Sequence, residues 1–402
     1  MDFDVAAFRE RFPSLASGIA HFDGPGGTQT PREVGAAIAD TLTGPLSNRG
    51  RQVASARAAD DAVTAFRQAY ADLLGVPPTG IVHGRSATQL TFDLARALAK
   101  TWRAGDEVVV SRLDHDANVR PWIIAAESVG ATVRWIDFDP ATAEVDVDAA
   151  RAQLTERTRL VAITGASNVL GTKPPVRAIA DAAHALGALV HVDAVHLAAH
   201  APIDVAELGA DLLVCSPYKL LGPHCGVLAA DPALLDTIHP DKLAPSSDAV
   251  PERFELGTLP YEVLAGATAA VDVLASLSPT PHAHRRDRIS DGLHAIDAHE
   301  TRLRERIERE LTAFGDDVVL HSRASDRTPT LLVTLPGRST AEAAQHLADR
   351  DVAAPSGSFY ALEPFRRLAL PGDEALRAGL APYVDDRDVD RLLEGLAEFL
   401  GR

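Results

Sequence analysis

Two short segments place polar side chains directly beside apolar runs, where they could do chemistry. In GRSATQL, Ser86, Ala87 and Thr88 precede a helical pattern. The free N–H groups of a helix N-terminus can hold a phosphate, although a plain helix cap explains the same residues. In HVDAVH, Asp193 ends an apolar run. A carboxylate there can pair with a buried cation or cap the next turn.

A third segment, DLLVCSPYKLLGPH, holds Lys219 in a turn between Pro217 and Pro223. Lysine forms Schiff bases with carbonyl cofactors once burial or cationic neighbours lower its pKa, whereas a single loop lysine is usually solvated surface. A phosphate cradle, a strand-end carboxylate and a turn-held lysine together suit the phosphate, pyridinium and aldehyde of pyridoxal 5′-phosphate (PLP). The combination predicts a PLP-dependent enzyme.

These segments belong to a predicted α/β domain. Apolar β-type runs alternate with helical periods from about residue 65 to residue 230, which is typical of a parallel sheet with crossover helices. Ligands of such sheets bind beyond the carboxyl ends of the strands, where the three segments lie. The predicted strands are 81–83, 107–111, 132–138, 160–164, 188–193, 211–215 and 226–229, and the predicted helices include 90–102, 118–129 and 176–186.

The C-terminal part of the chain has a different pattern. Residues 285–314 are highly charged with apolar residues at helical spacing, which predicts a long, partly solvated helix that bridges two domains. Strands at 318–321 and 330–335 and helices at 341–350 and 388–400 follow in an α+β arrangement. We therefore expect an N-terminal segment (1–60) that contributes to the active site and to the small domain, a large PLP-binding domain (61–260), and an interdomain helix with a small domain (261–402).

Composition excludes several classes of protein. The 402 residues are 46% hydrophobic and 24% charged, as in an ordinary folded soluble protein. The formal charge of −17 would repel nucleic acid and anionic membranes. The acidic start does not resemble a signal peptide, and no apolar run is long enough to span a membrane. Two cysteines give neither a disulfide framework nor a four-ligand zinc site, so we expect a cytoplasmic protein without a metal.

Six motifs, from about Phe22 to near the C-terminus, resemble in type and order the class V branch of the fold-type I PLP-dependent enzymes. This group includes cysteine desulfurases, selenocysteine lyases, kynureninase, isopenicillin N epimerase and some aminotransferases. The resemblance implies a mainly parallel seven-stranded sheet flanked by helices and a smaller α+β C-terminal domain. It also implies that Lys219 is the Schiff-base lysine, Ser216 a phosphate ligand and Asp193 the partner of the pyridinium nitrogen.

The resemblance also implies roles for residues outside these three segments. His115 would stack on the cofactor ring, and Asn168 would lie beside the ring hydroxyl. Arg377 would bind the substrate carboxylate through its bidentate fork, unless it is an exposed charge. The remaining assignments are Ala87 and Thr88 in the phosphate turn, Gly257 and Thr258 reaching the phosphate of the neighbouring subunit of a homodimer, and Gly26, Asn48 and Arg49 lining the substrate mouth.

The sequence departs from the desulfurase pattern at three places. His196 replaces a glutamine and can keep a hydrogen bond to the ring hydroxyl, and Tyr218 replaces a histidine proton shuttle. The loop PSGSFYALE has Tyr360 near the position at which desulfurases present a sulfur-accepting cysteine. Cys215 is expected in the core, and Cys225, although next to His224, is expected to be structural rather than a reactive thiolate.

These features predict a PLP-dependent lyase that acts on a small amino acid. The reaction would be C–S cleavage or β-elimination, without the loop cysteine that forms a persulfide. The same residues also suit an aminotransferase or an amino-acid epimerase, because pocket residues decide the step that follows removal of the α-proton. A non-catalytic homodimeric scaffold is a further alternative, which the presence of both Lys219 and Asp193 disfavours.

Overall fold

The computed structural model describes residues 3–370, 372 and 374–402. Its strands are β1 (Ala20–His21), β2 (Ile81–Gly84), β3 (Glu107–Ser111), β4 (Thr132–Ile136), β5 (Thr158–Thr164), β6 (Leu189–Asp193), β7 (Leu212–Cys215), β8 (Gly226–Ala230), β9 (Val319–Leu320), β10 (Thr330–Thr334), β11 (Val352–Ala353), β12 (Ser356–Gly357) and β13 (Ala375–Gly379). The bounds predicted for the large-domain strands hold to within two residues.

The helices are α1 (Val5–Arg9), α2 (Arg32–Thr43), α3 (Ala54–Leu74), α4 (Ala87–Ala99), α5 (Arg120–Ser128), α6 (Val147–Arg151), α7 (Val176–His184), α8 (Val205–Leu208), α9 (Pro232–Thr237), α10 (Tyr261–Ala275), α11 (Arg285–Ala313), α12 (Thr340–Ala348), α13 (Leu362–Leu368) and α14 (Asp386–Leu400). None of the helices in the described part of the chain combines the length and the apolar composition that a membrane-spanning segment requires.

Seven strands form the central sheet, in the order β2-β8-β7-β6-β5-β3-β4. The five strands from β7 to β4 in this order run parallel, whereas β8 is antiparallel to both β2 and β7. Apolar clusters fill both faces of the sheet, and every strand except the edge strand β4 is buried along nearly its whole length. The predicted α/β class and the mainly parallel seven-stranded sheet are confirmed.

The C-terminal region carries a second sheet, with the order β12-β13-β10-β9 and antiparallel pairing throughout. The long helix α11 buries one apolar stripe while its charged face stays solvated, and it packs against α10 and α14. The N-terminal segment joins this region through the parallel pair β1 and β11, and α2 packs against α10. The division of the chain at residues 60 and 260 stays a prediction.

Candidate functional site

The carboxyl ends of the parallel strands open onto a cavity, here named the inner cavity. Thr164 ends β5, Asp193 ends β6 and Ser216 follows β7, so three neighbouring strands contribute to it. The inner cavity is lined by Ser86, Ala87, Thr88, Thr91, His115, Ala117, Thr164, Ala166, Asn168, Asp193, Val195, His196, Ser216, Tyr218 and Lys219. Every residue that the sequence assigns to the cofactor, apart from Gly257 and Thr258, is therefore brought together in one place.

Lys219 ends a single 3₁₀ turn, Pro217–Lys219, that follows β7. Its side chain is 7% exposed and forms no ion pair with a described carboxylate. Burial lowers the pKa of Lys219 to about 8, helped by the positive charge of Arg377 and opposed by Asp193. A larger fraction of this amine is therefore neutral near pH 7 than in an ordinary lysine, which suits a nucleophile or a base.

Two buried carboxyl groups lie at the strand ends. Oδ1 of Asp193 accepts a hydrogen bond from the Val195 N–H at 2.9 Å, and burial raises the pKa of Asp193. Asp114 is fully buried and accepts hydrogen bonds from the Asn118 side chain at 2.7 Å and the Thr164 N–H at 3.0 Å. Burial and the nearby charge of Asp193 raise the pKa of Asp114 well above its ordinary value. Of the two, only Asp193 lines the inner cavity, so it is the carboxyl group placed to pair with a bound cation.

The N-terminus of α4 faces the inner cavity. Ser86 is its N-cap, and the Ser86 hydroxyl accepts a hydrogen bond from the Gln89 N–H at 3.1 Å. Gly226 on β8 lies so close that a Cβ there would stand 2.3 Å from the Ser86 carbonyl carbon and 2.6 Å from the Ala87 nitrogen. Glycine at position 226 therefore allows the helix end to pack on the sheet and present its N–H groups to the cavity.

His115 and Asn168 line both the inner cavity and the opening outside it. Nδ1 of His115 accepts a hydrogen bond from the Ala117 N–H at 3.1 Å, and burial together with the charges of Lys219 and Arg377 lowers the His115 pKa to about 4. The imidazole is therefore neutral at physiological pH and presents a flat, uncharged face. Nδ2 of Asn168 donates to the Phe359 carbonyl at 3.0 Å, while its buried Oδ1 has no partner among the described residues.

Two threonines of the C-terminal region hold the ring of His196. Its Nε2 lies 2.9 Å from the hydroxyl oxygens of both Thr328 and Thr330, and its ring packs edge-to-face on His200 at 4.8 Å. Burial and the positive neighbours lower the pKa of His196 well below its ordinary value. A neutral imidazole fixed through Nε2 leaves Nδ1 for a ligand of the inner cavity.

Outside the inner cavity lies a larger opening of about 640 Å³, here named the outer cleft. The two share Thr88, His115, Ala117, Asn168, Tyr218 and Lys219, and the outer cleft adds Pro25, Gly26, Phe92, Asp116, Arg120, Phe359, Tyr360 and Arg377. The predicted mouth residue Gly26, the predicted carboxylate-binding Arg377 and Tyr360 of the loop PSGSFYALE are thus found together in this cleft.

Arg377 is a buried cation without a carboxylate partner among the described residues. Its Nη1 donates to the Asn168 carbonyl at 3.1 Å, its guanidinium lies 3.9 Å from the centre of the Phe359 ring, and its Nε has no partner. Burial lowers the Arg377 pKa to about 10, so the side chain stays charged at neutral pH. Arg377 is 4% exposed, which excludes the alternative of an exposed charge. A buried guanidinium with free donors suits a carboxylate ligand.

The loop that covers Arg377 has strained backbone at two successive residues. Phe359 has φ 54° and Tyr360 has φ 56°, in the left-handed region that side chains other than glycine disfavour. Two hydrogen bonds hold this turn, from the Asn168 side chain to the Phe359 carbonyl and from the Asp116 N–H to the Tyr360 carbonyl at 2.8 Å. The Tyr360 side chain is 79% exposed at the cleft.

Both cysteines lie in the core. Cys215 ends β7 and is fully buried, and Cys225 is 2% exposed. Burial raises the pKa of Cys225 to about 12 and that of Cys215 higher still. Neither thiol forms the thiolate that sulfur chemistry requires at neutral pH, so the expected structural role of Cys225 agrees with its position.

Four predicted site residues lie outside both openings of their own chain. Arg49 forms an ion pair with Asp60 at 2.6 Å, and Asn48 beside it is exposed. Gly257 and Thr258 are exposed as well. The assignments of these residues to a substrate mouth and to a neighbouring subunit stay predictions.

Several residues of the site were missed by sequence reasoning. Asp114 directly precedes His115, and its burial becomes visible only with the fold. Phe359 directly precedes Tyr360, so the loop was identified but its role against Arg377 was not. The other additions are Phe92, Asp116, Ala117 and Arg120 in the outer cleft and Thr91, Thr164, Ala166 and Val195 in the inner cavity.

The inner cavity fits PLP. A helix N-terminus offers N–H groups to its phosphate, Asp193 can take the ring nitrogen, and the buried Lys219 amine can take the aldehyde. Asn168 Oδ1 is buried without a partner among the described residues, as expected of a polar group that forms its hydrogen bond with a ligand. His115 offers a neutral ring for stacking.

Comparisons with known proteins agree with this fit. The aminotransferase class V family model matches residues 20–392. An uncharacterised protein of Mycobacterium tuberculosis is 30% identical over 398 residues, with 99% of each chain covered. A cysteine desulfurase of Klebsiella pneumoniae is 30% identical, with 98% of each covered. The crystal structure of a cysteine desulfurase from Escherichia coli matches with a TM-score of 0.88 and 26% identity, covering 100% of this chain and 99% of that one.

Proposed function

Because the chain belongs to the class V aminotransferase family of PLP-dependent enzymes, we propose that it cleaves the Cβ–S bond of a cysteine-derived amino acid by β-elimination. The observation that carries the proposal is the loop over Arg377. It presents Phe359 and Tyr360 to the outer cleft, and the loop PSGSFYALE contains no cysteine. The two cysteines of the chain are buried elsewhere, with raised pKa values.

This absence of an accessible thiol bears on the fate of the sulfur. Desulfuration of cysteine to alanine transfers a sulfur atom to an acceptor thiolate, which then carries a persulfide. β-Elimination needs no acceptor, because the electron pair of the Cβ–S bond leaves with the sulfur. The balanced reaction consumes cysteine and one water and yields sulfide, pyruvate and ammonia. A chain without an exposed thiolate therefore suits elimination.

The residues of the site have roles that follow from their positions. Arg377 would bind the α-carboxylate, and its stacking on Phe359 limits the orientations of the guanidinium. Lys219 would take the α-proton, since its lowered pKa of about 8 gives a base that is active near neutral pH. Asp193 would keep the pyridine nitrogen of PLP protonated. When bound, PLP supplies the electron sink that makes this proton acidic.

We further propose that the protein is a homodimer with sites shared between subunits. Gly257 and Thr258 are exposed and line neither the inner cavity nor the outer cleft of their own chain, which suits residues that complete the site of a second chain. Large apolar side chains at Leu42, Val53, Leu243 and Leu256 are exposed in the single chain. Light scattering should give twice the mass of one chain; the mass of a monomer would contradict the proposal.

The test of the reaction is a product assay. Purified PLP-bound protein is incubated with L-cysteine and with S-methylcysteine, and sulfide or methanethiol, pyruvate and alanine are measured. We expect equal amounts of pyruvate and thiol without alanine, and no turnover in Lys219→Ala. Alanine as the product would instead indicate desulfuration.

Transamination and epimerisation remain the second candidates, because Lys219, Asp193 and Arg377 suit these reactions equally. Both would leave the carbon–sulfur bond intact. Exchange of the amino group with a keto acid, or inversion at the α-carbon without release of a thiol, would replace the proposal.

A further inference from the structure

An ion pair to which the proposed reaction gives no role lines the outer cleft. Asp116 and Arg120, here named the distal pair, are joined by a hydrogen bond of 3.2 Å between Arg120 Nη2 and Asp116 Oδ1. Their side chains are 28% and 39% exposed, whereas Arg377 in the same cleft is 4% exposed. The lining of the cleft therefore includes a buried cation and a half-exposed pair of opposite charges.

Helix stability does not account for the distal pair. Arg120 is the first residue of α5, and a cation in the first turn of a helix opposes the helix dipole. A half-exposed ion pair contributes little to stability. The guanidinium uses one hydrogen bond within the described residues, which leaves its other donors for a ligand.

We propose that the distal pair binds a second amino-acid head group, so that the preferred substrate is a thioether of two amino acids. This inference rests on the proposed β-elimination. Arg377 would take the α-carboxylate of the half that reacts. Asp116 would then take the ammonium group and Arg120 the carboxylate of the other half. A zwitterionic head group carries one positive and one negative charge, and these charges are complementary to those of Asp116 and Arg120.

Two further features of the outer cleft support this substrate class. Its volume of about 640 Å³ lies in the range of pockets that hold ligands much larger than cysteine. Phe92 and Phe359 also line it, and aromatic rings make favourable contacts with thioether sulfur. The reaction stays balanced: the Cβ–S bond breaks, its electron pair leaves with the sulfur of the second amino acid, and one water completes pyruvate and ammonia.

The test compares two thioethers that share the reacting bond. Lanthionine carries a second head group and S-methylcysteine does not. The ratio of their kcat/KM values is measured in the PLP-bound wild type, in Arg120→Met and in Asp116→Asn. We expect the wild type to prefer lanthionine and each variant to lower the ratio about tenfold, since one charge-assisted contact is lost.

A matched control comes from α6, where Asp148 and Arg151 form an ion pair of the same 3.2 Å length outside the cleft. Arg151→Met should leave the ratio at its wild-type value. A ratio in Arg120→Met equal to that of the wild type would overturn the distal pair as a substrate site, while cleavage of both thioethers would leave the proposed reaction intact.

Binding measurements separate this inference from the proposed function. If neither thioether is cleaved, β-elimination fails, and calorimetry on the same PLP-bound proteins decides the distal pair. Tighter binding of lanthionine than of S-methylcysteine, with the difference lost in Arg120→Met, would support the distal pair. Equal dissociation constants for the two compounds would overturn it.

Discussion

At the scale of single residues, burial sets the chemistry of the site. Lys219 and Arg377 are both removed from water, and the positive charge of Arg377 disfavours the charged form of Lys219. The Lys219 amine can lose its proton near neutral pH because its pKa is lowered, whereas the Arg377 guanidinium stays charged at this pH. Arg377 thus has two effects: it offers donors to a carboxylate, and it makes Lys219 a stronger nucleophile near neutral pH.

The variant Arg377→Met tests the second of these effects. Removing the guanidinium should raise the pKa of Lys219 above about 8, because a cation that disfavours the charged amine is gone. The rate at which cofactor-free protein takes up PLP rises with pH as Lys219 loses its proton, so its midpoint should move to higher pH. Arg103→Met, at a side chain 82% exposed, is the control. A midpoint that stays in place or moves to lower pH would contradict this coupling.

At the scale of elements, the site depends on the positions of the carboxyl ends of the strands relative to the N-termini of the helices. The segments GRSATQL and HVDAVH could be identified because the spacing of apolar residues distinguishes strands from helices. The structure has the strands and helices at the positions that this spacing predicts. The antiparallel direction of β8 was not predicted, because an apolar run gives no sign of its direction. The pairing of Asp114 with Thr164 was also missed, since it joins strands that become neighbours only in the folded sheet.

The close approach of β8 to α4 makes a prediction at this scale. Gly226→Ala should displace the α4 N-terminus, because the added Cβ would stand 2.3 Å from the Ser86 carbonyl carbon. We expect PLP to bind at least about tenfold more weakly, as measured by absorbance titration. Gly35→Ala in α2, where nothing lies within 4 Å, is the matched control and should leave PLP affinity as it is. Unchanged PLP affinity in Gly226→Ala would show that the α4 N-terminus binds PLP equally well after it is displaced.

At the scale of the whole molecule, the outer cleft is assembled from distant parts of the chain. Gly26 comes from the N-terminal segment, Arg120 from the start of α5 and Arg377 from β13 of the second sheet. The resemblance to a known family predicted Gly26 and Arg377 as site residues. Sequence spacing could not predict that Asp116, Arg120 and Phe359 line the same cleft, because their proximity depends on how the two sheets are joined.

The fold also buries histidines that must stay neutral. Both nitrogens of His191 on β6 are buried without a partner among the described residues, and its ring packs edge-to-face on Trp122. Burial lowers the His191 pKa from 6.5 to about 3. The unfolded chain therefore binds a proton below pH 6.5 that the folded chain does not, and stability is lost as the pH falls from 6.5 towards 3.

His191→Phe should remove this loss. The urea midpoints of wild type and variant are compared at pH 8 and at pH 5. The free energy of unfolding of the variant, relative to the wild type, should increase by about 2 kcal/mol between pH 8 and pH 5. The same difference at both pH values would show that His191 is not a source of acid sensitivity.

The most direct test of the central claim follows the sulfur during turnover. Intact-mass measurements on the PLP-bound protein, taken while L-cysteine is consumed, are compared with the amounts of free sulfide, pyruvate and alanine, in the wild type and in the double variant Cys215→Ala, Cys225→Ala. We predict sulfide and pyruvate in equal amounts, no mass gain of one sulfur atom, and turnover in the double variant. Alanine together with a persulfide on the wild-type protein, lost in the double variant, would contradict β-elimination.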